Sequence, residues 1–313
     1  MPNEKNLETI PVGPLGIVAL ESCKELGDKV NSYIVDWRKN RANEHKDTIA
    51  FAGYEKDSYL VNAQVPRFGS GEAKGIIHHS VRGDDLFIML DVCNYSLTYS
   101  LCGHTNHMSP DDHYQDLKRV IAAVGGKARR ITVIMPFLYE SRQHKRSSRE
   151  SLDCALALQE LISMGVDNII TFDAHDPNVQ NAVPCMDFEN FYPTHIILKD
   201  FVTKENLDYD NLLVISPDTG AMERAIYYAN MLNTDVGMFY KRRDLTKVVN
   251  GKNPVVQHEY LGKDVKDKNI IIVDDMIASG GSMLEVAEEL KNRGAKKVYL
   301  IATFAMFTSG LES

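Results

Sequence analysis

The chain has 313 residues, which is enough for two domains of ordinary size. Hydrophobic residues make up 44% and charged residues 25%, a composition typical of a soluble globular protein. The net charge of −8 argues against binding to nucleic acid or to an anionic membrane through overall basicity. We therefore expect neither a nucleic-acid partner nor a membrane partner.

The N-terminus and the cysteines indicate a cytoplasmic protein. The first residues are polar and lack the apolar core of a secretory signal. No apolar run reaches the roughly 18 residues that span a bilayer. The five cysteines are odd in number, far apart and without a CxxC pair, which is typical of reduced thiols.

The first half of the chain alternates short β-branched runs with amphipathic segments. Ser109 is a predicted helix N-cap, and Pro110 suits the first helical position. Gly125 and Gly126 end that helix. The strands predicted here are residues 16–20, 86–90, 131–136 and 168–173, and the helices cover about 22–35, 110–124 and 151–165.

The second half repeats this pattern, with predicted strands at 212–216, 236–240, 270–273 and 298–304. Strands that alternate with helices predict parallel sheets built from βαβ units. The fold class is therefore α/β, in two similar domains. The segment 177–200 has three prolines and little periodicity, so we place the boundary there, with domains at 1–185 and 186–313.

The stretch VDDMIASGGS places paired carboxylates at the end of a buried strand. In open α/β sheets, ligands bind beyond the carboxyl ends of the strands, where Asp274 and Asp275 lie. The glycines of 278–282 let backbone N–H groups approach an anion at a helix N-terminus. Paired carboxylates suit vicinal hydroxyls or a hydrated cation, and a sugar phosphate satisfies both the carboxylates and the loop. The alternative is an ordinary strand–turn–helix, but unpaired carboxylates there are costly without a partner.

A second charged segment follows the strand at 236–240. Lys241, Arg242 and Arg243 supply dense positive charge, on a loop long enough to close as a lid over phosphates. Taken alone, such a segment is more often a solvated turn. Farther upstream, Arg142 can bind phosphate through two hydrogen bonds or stack on a base.

Several segments resemble one family. VDDMIASGGS is similar to the ribose-5-phosphate and PRPP binding motif shared by type I phosphoribosyltransferases and ribose-phosphate pyrophosphokinases. Five further segments resemble the pyrophosphokinase family in its own order: RFGSGEAKGIIHHSVRGDDLFIM, MPFLYESRQHKRSSRES, TFDAHDPNVQ, VISPDTGAMERA and FYKRRD. The resemblance runs from about residue 16 to the C-terminus. It implies two phosphoribosyltransferase-type domains, each with a mainly parallel sheet flanked by helices, and an active site between them.

The resemblance also implies roles for particular residues. It makes Lys241 and Arg243 the catalytic pair. It implies ATP contacts by Phe68, Ser70, Glu72, Arg142, Gln143 and His175. It implies ribose-5-phosphate contacts by Asp274, Asp275, Ala278, Ser279, Gly280, Gly281 and Ser282. It assigns Mg²⁺ to His175, Asp218 and Asp173.

The implied reaction transfers the pyrophosphoryl group of MgATP to the anomeric hydroxyl of ribose 5-phosphate, giving PRPP and AMP. Phosphate or ADP are the implied regulators, and a homo-oligomer (dimer or hexamer) is the implied assembly. One alternative is a non-catalytic regulator associated with PRPP synthetase. Another is a phosphoribosyltransferase that consumes PRPP, against which the segments of the first half argue.

The chain also departs from the family pattern. The segments 37–62 and 94–113 are longer or altered. His144 stands where the family has aspartate, and Ala278 stands where an acidic residue is common, which keeps the regulator alternative open. The family continues beyond a segment like 298–304 with another strand and a helix, so we expect the second domain to be incomplete at its C-terminus.

Overall fold

A computed structural model describes residues 11–40, 53–205, 207–243, 255–308 and 310, with backbone only at 241–243 and 255–258. The chain divides into two compact units, Met1–Phe191 and Tyr192–Ser313. Within the described residues, no helix is both long and apolar enough to cross a membrane.

The first unit is built around one parallel sheet. Its strands are β1 (Leu15–Ala19), β2 (Ala63–Gln64), β3 (Ile76–Ile77), β4 (Asp85–Met89), β5 (Thr98–Leu101), β6 (His104–His107), β7 (Arg130–Ile134), β8 (Asn168–Phe172) and β9 (Asp187–Phe191). Its α-helices are α1 (Lys24–Asn40), α2 (Pro110–Val124) and α3 (Asp153–Ser163). Among the described residues, β1, β4, β7, β8 and β9 form the sheet in that order, all parallel.

Helices pack on both faces of this sheet because its strands are apolar on both sides. Leu86 and Ile88 of β4 face the core formed by α2 and α3, whereas Met89 packs on the other face with Val35 of α1. The predicted start of α2 is confirmed. Ser109 Oγ accepts a hydrogen bond from Asp112 N at 3.2 Å, and Ser109 N donates one to Asp112 Oδ2 at 3.0 Å.

The second unit has a mixed sheet. Its strands are β10 (Leu212–Ser216), β11 (Asp235–Arg243), β12 (Val255–Leu261), β13 (Asn269–Ile277) and β14 (Lys297–Ala305). Its helices are α4 (Thr194–Lys204), α5 (Met222–Leu232) and α6 (Gly281–Asn292). In the described part of this unit the strand order is β12-β11-β10-β13-β14, with only the β11–β12 pair antiparallel.

The chain adds strands on one side of β10 first and then on its other side. The chain leaves β10 for β11 on one side and later returns to β13 on the other side. Helix α5 covers Val214 and Ile271 on one face, and α6 covers Ile215 and Ile272 on the opposite face. The carboxyl ends of β10 and β13 therefore flank a topological switch point, where open α/β sheets bind ligands.

The predicted strands lie within the two sheets, and the α/β fold class is confirmed. Strand β9 was not predicted, because it lies in the proline-containing segment placed at the domain boundary. It pairs with β8, so residues 187–191 belong to the sheet of the first unit, beyond the boundary predicted after residue 185. The altered segment 94–113 contains the β5–β6 hairpin. In the longer segment 37–62, residues 41–52 lie outside the described part of the chain.

Candidate functional site

Two carboxylates lie at the end of β13. Ile215 and Ile272 are register partners in the parallel β10–β13 pair, so the residues that follow them emerge side by side. Residues Asn269–Val273 are buried, and Asp274 is the first partly exposed residue of the strand. Asp275, next along, is only 2% exposed. The strand therefore brings both predicted aspartates to the switch point.

The two aspartates influence each other strongly. Asp275 N donates to Asp274 Oδ1 at 2.9 Å. Burial raises the pKa of Asp274 to about 7, and the side-chain hydrogen bond with Asp275, the charge of Asp275 and the charge of Asp218 add to this rise. Near neutral pH, Asp274 can therefore donate a hydrogen bond as an acid or accept one as a carboxylate.

Arg224 is a residue of this site that the sequence did not reveal. It lies on α5, and its Nη1 is 3.9 Å from Asp274 Oδ1. Its side chain is 15% exposed, so the guanidinium belongs to the partly buried rim of the site. The sequence shows only a basic residue shortly after Asp218, and such residues are too common for a site role to be predicted from this one.

Asp218 lies in the loop between β10 and α5. Its Oδ1 accepts hydrogen bonds from Gly220 N at 2.8 Å and Ala221 N at 3.2 Å, and Ser216 Oγ donates to its carbonyl at 2.6 Å. These bonds hold the side chain in one orientation. Because they use Oδ1, the other carboxylate oxygen is the one that could bind a cation or a hydroxyl.

The loop 278–282 forms the expected turn before α6. Gly280 has a φ of +87°, a left-handed conformation that favours glycine, and it is the N-cap of α6. The first turn of α6 contains no acidic residue, so no carboxylate there opposes the positive potential of the helix N-terminus. The segment that follows β14 also contacts this loop, since Thr308 N donates a hydrogen bond to Ala278 O at 2.9 Å. All five predicted loop residues thus lie in the strand–turn–helix that follows the aspartates, and their role in binding phosphate stays a prediction.

Lys241 and Arg243 lie on β11, at the β11–β12 edge of the sheet. In the backbone register Lys241 pairs with His258, and the register shifts between Arg242 and Arg243. The segment predicted as a loop from residue 241 thus begins as strand. The side chains of these residues and all of 244–254 lie outside the described part of the structure.

The first unit brings Phe68, Ser70 and Glu72 together in one turn. Phe68 N donates to Glu72 O at 2.7 Å, and Gly71 N donates to Phe68 O at 2.9 Å. Ser70 Oγ donates to Glu72 Oε2 at 2.8 Å. The ring of Phe68 is 51% exposed. This turn presents an aromatic face beside polar groups, an arrangement that suits a nucleobase.

The other predicted ATP residues lie after β7 and β8. Arg142 is exposed, whereas the amide of Gln143 donates to Ser151 O at 2.8 Å and so braces its own loop. Asp173 is 5% exposed and has a φ of +43°, which is strained for a residue other than glycine. The ring of His175 lies 5.3 Å from that of His144. The contact with His144 was not predicted from the sequence.

The donor chemistry fits Mg²⁺ that arrives with a phosphate ligand. Among the described residues, no group of three or more His, Cys, Asp or Glu could hold a metal ion alone. Mg²⁺ keeps several waters and commonly binds one or two carboxylates together with substrate phosphates. The oriented carboxylate of Asp218 suits that mode, and the assignment of metal to Asp173, His175 and Asp218 stays a prediction.

Comparisons with known proteins identify the family. A family model for the N-terminal domain of ribose phosphate pyrophosphokinase matches residues 15–165, and a phosphoribosyl transferase domain model matches 193–310. The ribose-phosphate pyrophosphokinase of Haemophilus ducreyi is 35% identical over 252 residues, covering 80% of this chain and 72% of the relative. The chain belongs to the ribose-phosphate pyrophosphokinase family.

Further relatives of this family agree. The ribose-phosphate pyrophosphokinase of Pasteurella multocida is 34% identical over 252 residues, covering 80% of this chain and 73% of its own. A crystal structure of phosphoribosylpyrophosphate synthetase from Mycobacterium smegmatis matches with a TM-score of 0.71 at 23% identity. That match covers 93% of this chain and 81% of the other, and it supports the same α/β fold.

We predict that Asp274 makes the unfolding free energy fall as pH rises from about 4 to about 7. Its pKa is raised from 3.8 to about 7 in the folded chain. Between these values the folded state binds more protons than the unfolded state, so raising the pH lowers stability. Urea unfolding near pH 5 and near pH 7.5 measures the difference, and Asp274→Asn should reduce it.

The matched control is Asp210→Asn, which removes an exposed carboxylate in the same unit. This variant should keep the pH dependence of the parent. If Asp274→Asn also keeps it, the raised pKa of Asp274 is wrong.

Proposed function

We propose that this chain forms PRPP and AMP from MgATP and ribose 5-phosphate. The observation that carries the proposal is the aspartate pair at the switch point of the second sheet, followed by the glycine loop that opens α6. Membership of the pyrophosphokinase family supports it, because both of the family's domains match the chain.

Ribose 5-phosphate binds in the second unit. Its phosphate accepts hydrogen bonds from backbone N–H groups of 278–282 and from the hydroxyls of Ser279 and Ser282, at the positive end of α6. Its ring hydroxyls bind Asp274 and Asp275. Because Asp274 has a pKa near 7, the pair offers both a donor and acceptors to two vicinal hydroxyls.

ATP binds through the predicted residues of the first unit. Phe68 stacks on adenine, and Ser70 and Glu72 provide polar contacts. Arg142 and His175 bind the phosphate chain, and Gln143 keeps the loop of Arg142 in place through Ser151. The predicted Mg²⁺ ligands are Asp173 and His175 in the first unit and Asp218 in the second, and Mg²⁺ bound with the ATP phosphates would neutralise their charge.

The chemical step is an in-line displacement at the β-phosphorus. The anomeric oxygen forms a bond to that phosphorus, the bond to the oxygen shared with the α-phosphate breaks, and AMP leaves with the electron pair. The proton of the anomeric hydroxyl is released. Lys241 and Arg243 stabilise the charge of the transferring group, so this chain contributes positioning and electrostatics and no covalent intermediate.

The location, assembly and regulation of the enzyme are proposed from the family resemblance. We propose a cytoplasmic enzyme that forms a homo-oligomer, a dimer or a hexamer, and that phosphate or ADP regulates. Neither nucleic acid nor a membrane is a proposed partner.

One assay tests the function. The chain is incubated with MgATP and ribose 5-phosphate, and AMP and PRPP are followed; equal amounts of both products are expected. The departures at His144 and Ala278 favour one other function, a non-catalytic regulator. Binding of both ligands without turnover would support the regulator and overturn the proposed activity.

We predict that Lys241→Ala lowers kcat on the order of 100-fold, as expected for the loss of one preorganised electrostatic contact. Ribose-5-phosphate binding should change little, because the lysine acts on the transferring phosphates. Steady-state kinetics with each substrate varied measures both effects. Lys263→Ala removes an exposed lysine that pairs with Asp235 at 2.6 Å and serves as control. If Lys241→Ala turns over as fast as the parent, Lys241 is not a catalytic residue.

We predict that Asp274→Asn combined with Asp275→Asn abolishes ribose-5-phosphate binding and leaves the melting temperature at or above that of the parent. The amides cannot accept as the carboxylates do, yet they remove repulsion between buried charges. Calorimetric titration with ribose 5-phosphate measures binding, with Asp264→Asn, an exposed position in the same unit, as control. If the affinity for ribose 5-phosphate is unchanged, the segment VDDMIASGGS is an ordinary strand–turn–helix without a role in binding.

A further inference from the structure

His144 lies where two loops of the first unit meet. Its own loop runs from β7 to α3 and carries Arg142. The facing loop follows β8 and carries Asp173 and His175. His144 Nε2 is 3.2 Å from Asp176 Oδ2, so a polar contact joins the two loops.

The acidic partner in this contact is itself held in place. Asp176 Oδ1 accepts hydrogen bonds from Asn178 N at 2.8 Å and from Asn178 Nδ2 at 2.9 Å. These bonds cap the short 3-10 helix Pro177–Ala182. Asp176 Oδ2 therefore presents a fixed acceptor to the histidine.

The histidine ring is enclosed as well. Its side chain is 11% exposed, and its ring lies 5.3 Å from that of His175 with a tilt of 60°. The contact with Asp176 and the ring contact with His175 therefore join the loop after β8 to the loop that carries Arg142. Both loops carry proposed ATP contacts, so their relative position matters for nucleotide binding.

The second nitrogen of His144 has no protein partner among the described residues. Nδ1 is buried and makes no hydrogen bond there. A carboxylate only accepts, so the bond to Asp176 requires a proton on Nε2, and in the neutral tautomer with that proton the lone pair is on Nδ1. Buried polar atoms are nearly always satisfied, and an exception calls for a physical reason.

We propose that His144 is a nucleotide-binding and positioning residue. Nε2 holds the loop after β8 through Asp176, and Nδ1 accepts a hydrogen bond from a donor of bound MgATP. This proposal rests on the proposed function, because it takes the ligand between these loops to be the nucleotide. The donor is either a hydroxyl or amino group of ATP or a water bound to its Mg²⁺, which is a strong donor.

Two variants separate the functions of the two nitrogens. His144→Gln keeps an N–H donor that reaches Asp176 but has no acceptor at the position of Nδ1. His144→Leu keeps the bulk of the side chain and loses both bonds. His195→Leu changes an exposed histidine in the second unit and is the control.

The experiment titrates each variant with a non-hydrolysable MgATP analogue and separately with ribose 5-phosphate, and melts each one without ligand. His144→Gln should melt like the parent yet bind the analogue about tenfold more weakly, the usual effect of one lost hydrogen bond. His144→Leu should bind it more weakly still. Affinity for ribose 5-phosphate should not change in either variant. In kinetics, the KM for MgATP should rise more than kcat falls.

A repeat of the titration with the analogue in EDTA identifies the donor. If His144→Gln then binds as the parent does, the donor is water on Mg²⁺. If the loss of affinity persists, the donor is on the nucleotide.

Parent-like binding of the analogue by His144→Gln would overturn the Nδ1 contact. Parent-like binding by His144→Leu would overturn the positioning role too. Failure of this inference can be distinguished from failure of the proposed function, since the titration requires no turnover. A parent that makes PRPP while His144→Gln binds normally refutes only this inference. A parent that binds the analogue but makes no PRPP refutes only the proposed activity.

Discussion

The hydrogen-bonded pairing of β10 with β13 determines where Asp218 and the aspartate pair of the proposed sugar-phosphate site meet. The two strands are neighbours in the centre of the sheet although β11 and β12 separate them in the chain. Because they are parallel, both carboxyl ends reach the same edge, and the loops beyond them diverge to opposite sides. That divergence leaves room for a ligand between Asp218 on one loop and Asp274 on the other.

The charges at this edge oppose one another until a ligand binds. Asp275 is almost fully buried next to Asp274, and the charge of Asp218 acts on the same pair. Partial protonation of Asp274 relieves this repulsion, and so does the nearby guanidinium of Arg224. Such an arrangement costs stability and is typical of functional sites, where perturbed carboxylates cluster. The positive end of α6 lies after the same strand, as the proposed binding of a phosphorylated sugar requires.

Several features could be predicted from the sequence because they depend on neighbouring residues. The β-branched runs identify buried parallel strands, since both of their faces must be apolar. Ser109 and Asp112 cap α2 across a single turn. The aspartate pair and Gly280 lie within one strand–turn–helix, so their order in the chain already specifies their arrangement. The same holds for Phe68 and Glu72, whose turn closes over a few residues.

Other features depended on residues that are distant in the chain. Strand β9 forms because β8 offers it a hydrogen-bonding edge, and its own residues carry no strong strand signal. Arg224 approaches Asp274 only after α5 has packed on the sheet. His144 meets Asp176 only because β7 and β8 are adjacent, which brings the loops after them together. The sequence by itself therefore determined the main parallel strands, the family resemblance and the turn that follows the aspartates. Only the tertiary structure decided which charged side chains face one another, because those contacts are made between elements and not within them.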